Sequence, residues 1–502
     1  MDAWTMLTQG FASALTPVNL LFALIGCIAG TLVGVLPGLG PTAAIAMLLP
    51  LTTMLPPAPA IIMMAAIYYG AMYGGSTTAI LVNIPGEASS VPTAIDGYQL
   101  NQQGRGGPAL GISAITSFVA GTIGVVGLTF FAPLLSQVAL AFGPPEYFAL
   151  AFLGLSLIIS LSGRALVKGI LAATFGLLTA MIGLDPLTGV ARLTFGQPLL
   201  MAGIEFVPII MGLFAISEVL LNVEASVRGI LADQKIEWLP SWQDIKETWG
   251  AMLRSGFLGF FMGLIPGCSP AVTSFMAYDM ERRLSKHPER FGKGAMEAIA
   301  AVEGANNATA SGGFVPLFSF GIPSGPALAV LLGGFMMYGL QPGPRLMTEQ
   351  PQLLWTIIAS MYIGNVMLLV LNLPLVGVWA RMALIPFPIL GPLIVAFTFI
   401  GAYSLRFQML DIWIVLLFGV IGYLMRKFGF PVAPMVLAAV LARMLETSLM
   451  QSLVISHGSA LIFFTRPISV VFMFVALFFI ARGVWLQVKT PAENVALEES
   501  DV

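Results

Sequence analysis

Apolar residues run along this chain in unbroken stretches of about 20, without the alternation of barrel strands and at the length a helix needs to cross a bilayer. The stretches predict helices over 18–36, 41–55, 58–83, 108–140, 146–184 and 198–222. They resume over 248–265, 270–284, 294–320, 325–340, 352–402, 409–426, 430–455 and 460–486. Between the two sets lies a polar segment with Arg228, Asp233, Lys235, Glu237, Asp244, Lys246 and Glu247. The expected organisation is a first membrane repeat (1–222), a polar linker (223–247), a second membrane repeat (248–486) and a C-terminal tail (487–502). Glycine (54) and proline (34) recur inside the apolar runs. A broken helix persists in a membrane only where protein or an aqueous cavity covers its freed backbone groups, so the breaks predict a cavity-bearing protein.

Composition narrows the class. Of 502 residues, 58% are hydrophobic and 9% charged, with 22 Lys+Arg against 24 Asp+Glu and a net charge of −2. A soluble chain would carry roughly a quarter charged residues. A cytosolic enzyme, a disordered scaffold and a nucleic-acid binder are excluded, and an all-α polytopic membrane protein of roughly 10–12 spans is expected. Two cysteines, Cys27 and Cys268, make no disulfide framework, and two histidines, His287 and His457, no histidine metal site. Met1–Pro17 has no Lys or Arg and does not read as a secretory signal. The chain has no G-x-S-x-G, H-E-x-x-H or phosphate-binding loop, and Ser456 and His457 are adjacent and face apart on a helix. No enzymatic activity and no cofactor are expected, and no metal beyond a coupling ion.

An internal duplication is visible. G-V-L-P-G-L-G-P at Gly34–Pro41 returns as G-L-I-P-G-C-S-P at Gly263–Pro270, 229 positions on. Gly74-Gly75 before Ile84-Pro85-Gly86 returns as Gly312-Gly313 before Ile322-Pro323-Ser324-Gly325, 238 positions on. After the second tip, Glu281–Lys293 holds five basic residues (Arg282, Arg283, Lys286, Arg290, Lys293), whereas the counterpart Leu51–Pro59 holds none. Short basic loops stay cytoplasmic, so corresponding loops face opposite sides and the repeats are expected to be inverted, with broken or re-entrant helices. Arg482 and Lys489 place the C-terminus on the cytoplasmic side by the same rule.

The tips carry the chemistry. In Pro37, Gly38, Leu39, Gly40 and Pro41, and again in Pro266, Gly267, Cys268, Ser269 and Pro270, one proline stops a helix, glycine turns the chain and the second proline opens the next helix. That helix, starting near Thr42 or Ala271, presents free N–H groups and a positive dipole end that suit a carboxylate. The alternative is a pair of structural kinks. Gly74–Thr78 and Gly312-Gly313 are expected to break a helix at the same place in each half, so that Gly75, Ser76 and Thr77, with Gly312, Pro323 and Ser324, read as the arms of interrupted helices that complete the site; close packing through small residues is the alternative. Glu303, Asn306, Asn307 and Ser311 share a helical face, and with Asn83 they suit a coupling Na⁺ or H⁺; an interhelical hydrogen-bond network is the alternative. At the offset of 238, Tyr68, Tyr69 and Tyr73 stand opposite Asn306, Asn307 and Ser311. Asp96 reads as a loop cap, Arg105 as a solvated loop charge, and Arg426 and Lys427 as a cytoplasmic helix end.

At these motifs the sequence resembles the large membrane subunit of the tripartite tricarboxylate transporter family. The segments that carry the likeness are G-V-L-P-G-L-G-P-T-A-A-I-A-M-L-L-P-L-T (34–52), Y-G-G-S-T-T-A-I-L-V-N-I-P-G (73–86), A-I-D-G-Y (94–98) and I-P-G-C-S-P (265–270). E-R-R-L-S-K-H-P-E-R-F-G-K-G (281–294), E-G-A-N-N-A (303–308), G-I-P-S-G (321–325) and G-L-Q-P-G-P-R-L (339–346) continue it, with L-M-R-K-F-G-F-P-V-A-P (424–434) and F-F-T-R-P-I-S (463–469) late in the chain. The chain departs from the family where P-E-A-A-N-N becomes V-E-G-A-N-N and where a Gly-Asp becomes Gly458-Ser459. The resemblance implies a multi-pass secondary carrier of the bacterial inner membrane that imports citrate or a related carboxylate by symport with Na⁺ or H⁺, with elevator-like alternating access. It also implies two partners, a small membrane subunit and a periplasmic solute-binding protein, and a homodimer is among the assemblies considered. The family's signature residues map onto Gly38, Gly40, Pro41, Gly267, Pro270, Glu303, Asn306 and Asn307. The rival class is a ligand-binding or sensor module without net transport.

Overall fold

The computed structural model describes residues 3–36, 40–160, 165–185, 189–224, 239–375, 378–379 and 387–489. The first helices are α1 (Ala3–Ala14), α2 (Pro17–Val35), α3 (Gly40–Thr52), α4 (Pro57–Val82), α5 (Val91–Gln102), α6 (Gly106–Ala139), α7 (Pro144–Ser160) and α8 (Leu166–Ala180). After a two-residue antiparallel pairing of Gly183–Leu184 with Ala191–Arg192 come α9 (Phe206–Ile210), a π-helical turn (Met211–Ile216) and α10 (Ser217–Glu224). Then follow α11 (Trp242–Gly263), α12 (Pro270–Leu284), α13 (Met296–Gly312), α14 (Phe314–Phe320), α15 (Pro326–Met337), α16 (Pro344–Glu349) and α17 (Pro351–Asn372). The last are α18 (Phe387–Arg406), α19 (Met409–Lys427), α20 (Val432–Ile455) and α21 (Pro467–Lys489). Proline opens many of these helices, where its missing N–H costs nothing and its φ already suits a helix.

Among the described residues, eight helical stretches are long and apolar enough to cross a membrane: Pro17–Val35, Gly106–Ala139, Phe206–Glu224, Pro351–Asn372, Pro388–Arg406, Met409–Lys427, Val432–Ile455 and Pro467–Trp485. The remaining apolar sequence is cut into shorter helices such as α3, α7, α8 and α15. The protein is therefore an all-α polytopic membrane protein. The run expected over 146–184 is divided into α7 and α8, and that over 294–320 divides at Gly313. Among the described residues three helices lie outside the apolar runs, α1, α5 and the short α16. The sequence of α5, V-P-T-A-I-D-G-Y-Q-L-N-Q, is too polar to register as a span, yet Thr93, Asp96 and Leu100 on it are fully buried.

The chain forms two compact units, one of Met1–Ala139 with Val207–Tyr423, the other of Leu140–Phe206 with Leu424–Val502, so each draws on both sides of the polar linker. In the first, Ile80, Leu100, Ala109, Ile112, Met252 and Ile299 bring α4, α5, α6, α11 and α13 into one apolar core. In the second, a Cβ at Gly176 of α8 would run into Met435 O of α20, so only glycine permits that contact. There Glu146 accepts from Arg466 Nε at 2.5 Å and from Gly143 N–H at 2.8 Å, and Arg192 pairs with Glu446 and Asp185. Large apolar side chains such as Phe474, Phe478 and Trp485 on α21 point outward. In lipid such a surface is solvated, so helix association depends on close van der Waals fit rather than on apolar burial.

Candidate functional site

Two helix pairs in the first unit are packed backbone to backbone. Cβ atoms at Gly30 and Gly34 of α2 would collide with Ile67 O and Ala71 O of α4, and one at Gly74 with Thr31 O. In α11 and α13, Cβ atoms at Gly259 and Gly263 would meet Ala305 O and Thr309 O, the latter at 2.6 Å, and one at Gly312 would meet Phe260 O at 2.6 Å. The same register, 229 positions apart on one helix and 238 on the other, closes both pairs. This corrects one expectation: Gly74-Gly75 does not break its helix, because α4 runs unbroken to Val82. Gly74 and Gly312 are close-packing positions, and a division at the glycine pair occurs only in the second half, at Gly313.

The helix ends match instead. α4 stops at Asn83 in the left-handed region (φ 57°), and Ile84 N–H reaches back to Thr78 O at 3.3 Å. α14 stops at Gly321 (φ 74°), and Ile322 N–H reaches back to Pro316 O at 3.3 Å. Each is a six-residue closing bond that satisfies a last-turn carbonyl, and each is followed by a proline that cannot continue the helix. The chain then folds onto its own half. Gly86 N–H donates to Gly75 O at 3.3 Å and lies against Gly34 O, and Gly267 N–H donates to Ser324 O at 2.9 Å. The second tip, Pro266–Pro270, therefore sits beside the Pro323–Ser324 break.

Pro37, Gly38 and Leu39 of the first tip lie outside the described residues; Gly40 (φ 59°), Pro41 and Thr42 open α3, all partly buried. In the second tip Gly267 has φ 89°, and Cys268 is buried with its thiol 3.7 Å from Thr273 Oγ1. Ser269 precedes α12 without a side-chain cap, and neither α3 nor α12 has an acidic residue in its first turn. The N–H groups opening α12 are thus free of a capping side chain. The same holds at α15, preceded by Gly325, where a Cβ would meet nothing within 4 Å.

Beside the first break lie two carboxylates. Glu303 is completely buried on α13 and accepts from Thr93 Oγ1 of α5 at 2.5 Å. Glu87, which directly follows Ile84-Pro85-Gly86, is partly buried and accepts from Ser89 Oγ at 2.5 Å and Asn306 Nδ2 at 3.3 Å. Ser76 of α4 neighbours Glu303, but its hydroxyl makes no hydrogen bond of acceptable geometry. Gly75 leaves the room Glu87 occupies: a Cβ there would lie 2.8 Å from Glu87 Cγ.

A second polar group lines a small cavity, about 10 Å³ open to the centre of a water, bounded by Tyr69, Tyr73, Gly121, Asn307, Ser311 and Asn365 among others. Here the residues expected to correspond at an offset of 238, Tyr69 with Asn307 and Tyr73 with Ser311, face one space. Tyr73 donates to Asn365 Oδ1 at 2.6 Å, while Asn307 Nδ2 donates to Ser117 Oγ at 2.8 Å. The structure thus separates the expected ion-coupling residues: Glu303 and Asn306 meet Glu87, Asn307 faces the cavity, and Asn83 is an exposed helix end.

Glu87, Thr93 and Asn365 were not singled out by sequence. Glu87 carried a signal, being the sole acidic residue between Asp2 and Asp96. Asp96 lies in a helix rather than a loop, and it caps a distant segment: buried in α5, it accepts from the N–H groups of Gly292, Gly294 and Ala295 at 2.8–2.9 Å and from Tyr278 Oη at 2.8 Å. Arg105 is the exposed loop charge expected, and it also pairs with Asp244.

Interrupted helices with matched ends, among long apolar helices, define a multi-pass membrane protein. The family described as "Tripartite tricarboxylate transporter TctA family" matches residues 20–437, and the chain belongs to that family. A protein of Agrobacterium vitis described as "Uncharacterized 52.8 kDa protein in TAR-I ttuC' 3'region" is 44% identical over 500 residues, covering 99% of this chain and 100% of that protein. A second from the same organism, "Uncharacterized protein in TAR-II ttuC' 3'region", is 39% identical over 241 residues, 48% of this chain and 100% of its own length. No solved structure matches the chain. Family membership makes the chain a component of a tripartite transport system, which implies partner subunits.

Proposed function

We propose that this chain is the translocating subunit of an ion-driven secondary carrier that imports a tricarboxylate or related organic acid across the bacterial inner membrane. Its partners in this reading are a small membrane subunit and a periplasmic binding protein that delivers substrate. The carrying observation is the matched pair of helix ends, Asn83 and Gly321, each closed by a hydrogen bond that reaches back six positions and followed by a break at which the chain folds onto its own half. Two such breaks support an inverted-repeat carrier in which the helix starts after the tips, at Gly40–Thr42 and Ser269–Pro270, hold the substrate carboxylates through backbone N–H groups. One bundle then moves relative to another, in the manner of an elevator, and opens the site to alternate sides. An Na⁺ or H⁺ gradient drives the cycle.

Reconstitution of all three components in vesicles tests this. Accumulation of labelled citrate or a related acid that follows an imposed ion gradient is the expected result. Saturable binding without flux would instead make the chain a ligand-binding or sensor module. Glu303→Gln should change the ion dependence of uptake, and unchanged dependence would leave Glu303 a structural role.

A further inference from the structure

We propose that Glu87, Glu303, Asn306 and Ser76 form a binding site for Na⁺. Three buried oxygens in this group have no hydrogen-bond partner: Glu303 Oε2, Asn306 Oδ1 and Ser76 Oγ. Each belongs to a residue no more than 1% exposed. Buried polar atoms are otherwise almost always paired, so three on neighbouring side chains call for a common partner. The orientation of the Asn306 amide is fixed by chemistry. Its Nδ2 donates to Glu87 Oε1 at 3.3 Å, and a flipped amide would set two acceptors against each other. Asn306 Oδ1 can therefore receive only a donor or a cation.

Charge points the same way. The groups acting on Glu303 are the Thr93 and Ser76 hydroxyls; those acting on Glu87 are the Ser89 hydroxyl, the Asn306 amide and Glu303 itself. No Lys or Arg is among them, so the two neighbouring carboxylates have no basic side chain to offset them. A proton shared by the two carboxylates, with the Ser76 hydroxyl turned to Glu303, would still leave Asn306 Oδ1 without a donor. A hard monovalent cation takes carboxylate, amide and hydroxyl oxygens together, which is the donor set present. Among the described residues no group of three or more His, Cys, Asp and Glu side chains gathers as a divalent or transition metal would require. Access is graded too: Glu87 keeps part of its surface open and Glu303 none, so an ion would meet Glu87 first. Thr93 holds the far oxygen of Glu303 and fixes the direction of Oε2.

The site's role in coupling rests on the carrier reading; its existence does not, and the test keeps the two apart. Radioactive sodium binding is measured on the purified full-length chain in detergent, with choline as the replacement cation and no gradient present. Saturable binding to the wild type is expected, weakened about 100-fold or more in Glu303→Gln, where a charged ligand is lost. In Thr93→Val both carboxylates stay and only the orienting bond goes, and a loss of about tenfold is expected. A Glu289→Gln variant, at an exposed loop, should bind as wild type does. If Glu303→Gln fails to fold, as judged by size exclusion, Thr93→Val and Glu87→Gln decide. Absence of saturable sodium binding by a folded wild type overturns the site, as does undiminished binding in the folded variants. Sodium binding without gradient-driven uptake would overturn the carrier reading and leave the site standing.

Discussion

Tyr73 donates its hydroxyl to Asn365 Oδ1 at 2.6 Å, joining α4 to α17 across 292 positions of chain. The amide's other end is already committed, with Nδ2 donating to Phe118 O at 2.8 Å and Thr122 Oγ1 at 2.9 Å on α6. One asparagine thus ties three helices around the polar cavity. Tyr73→Phe removes the donor and leaves Oδ1 buried, so a stability loss of about 1–3 kcal/mol is expected in thermal unfolding of the purified protein. Adding Asn365→Leu should cost less than the sum of the two single changes. Strict additivity would mean that the two side chains do not depend on each other.

Asp96 predicts a different readout. Its carboxylate gathers three backbone N–H groups of the segment before α13 together with the Tyr278 hydroxyl. Asp96→Ala strands those donors, at a cost of about 3 kcal/mol or more. The basic segment should loosen first, so trypsin should cut after Arg290 or Lys293 faster than in wild type. An unchanged cleavage rate would show that Asp96 does not hold the segment.

Much of this architecture was legible in the chain. Long apolar runs gave the spans, prolines gave many of their starts, and the recurring Ile-Pro motifs marked both helix ends, after Asn83 and Gly321. Hydropathy did not reveal α5, because its buried face is made of Thr93, Asp96 and Asn101 and is paid for by hydrogen bonds that form only in the fold. Glu303 stood out as an acid within an apolar run, whereas its neighbour Glu87 sits among the turn residues after Ile84-Pro85-Gly86 and was not singled out. Gly74 was misread for a related reason: a glycine that breaks a helix and one that admits a neighbouring backbone look alike until the neighbour is known. Asn365 gave no signal, since its importance lies in what two other helices bring to it.

Neighbouring glycines should behave differently when enlarged. A Cβ at Gly74 would strike the rigid backbone at Thr31 O, so Gly74→Ala must spread α2 from α4, at about 1–3 kcal/mol. A Cβ at Gly75 meets side chains alone, Glu87 Cγ at 2.8 Å and Ser90 Oγ at 3.3 Å, and these can turn aside. Gly75→Ala should therefore melt close to wild type while displacing the Glu87 carboxylate and weakening sodium binding. Equal melting of the two variants would contradict the contacts described for Gly74.

Acid should weaken the head of α11. Burial acts to raise the Asp244 carboxyl, but hydrogen bonds from the Ser241 hydroxyl and N–H and from Arg105 outweigh it and hold the group below the ordinary carboxylate range. Ser241 and Asp244 also cap each other, with Asp244 N–H donating to Ser241 Oγ at 3.2 Å and Ser241 N–H donating to Asp244 Oδ2 at 2.9 Å. A carboxylate depressed in the folded state contributes stability above its unfolded value, about 4, and that contribution is lost as pH falls through the folded value. The melting temperature should accordingly drop as pH is lowered below about 4, and Asp244→Asn should flatten this part of the profile. Arg105 is nearly half exposed, so its share should fade in high salt. Arg105→Ala should shrink the acid-dependent drop without removing it, because Ser241 still supplies both of its hydrogen bonds; a profile unchanged in Asp244→Asn would assign the acid sensitivity elsewhere.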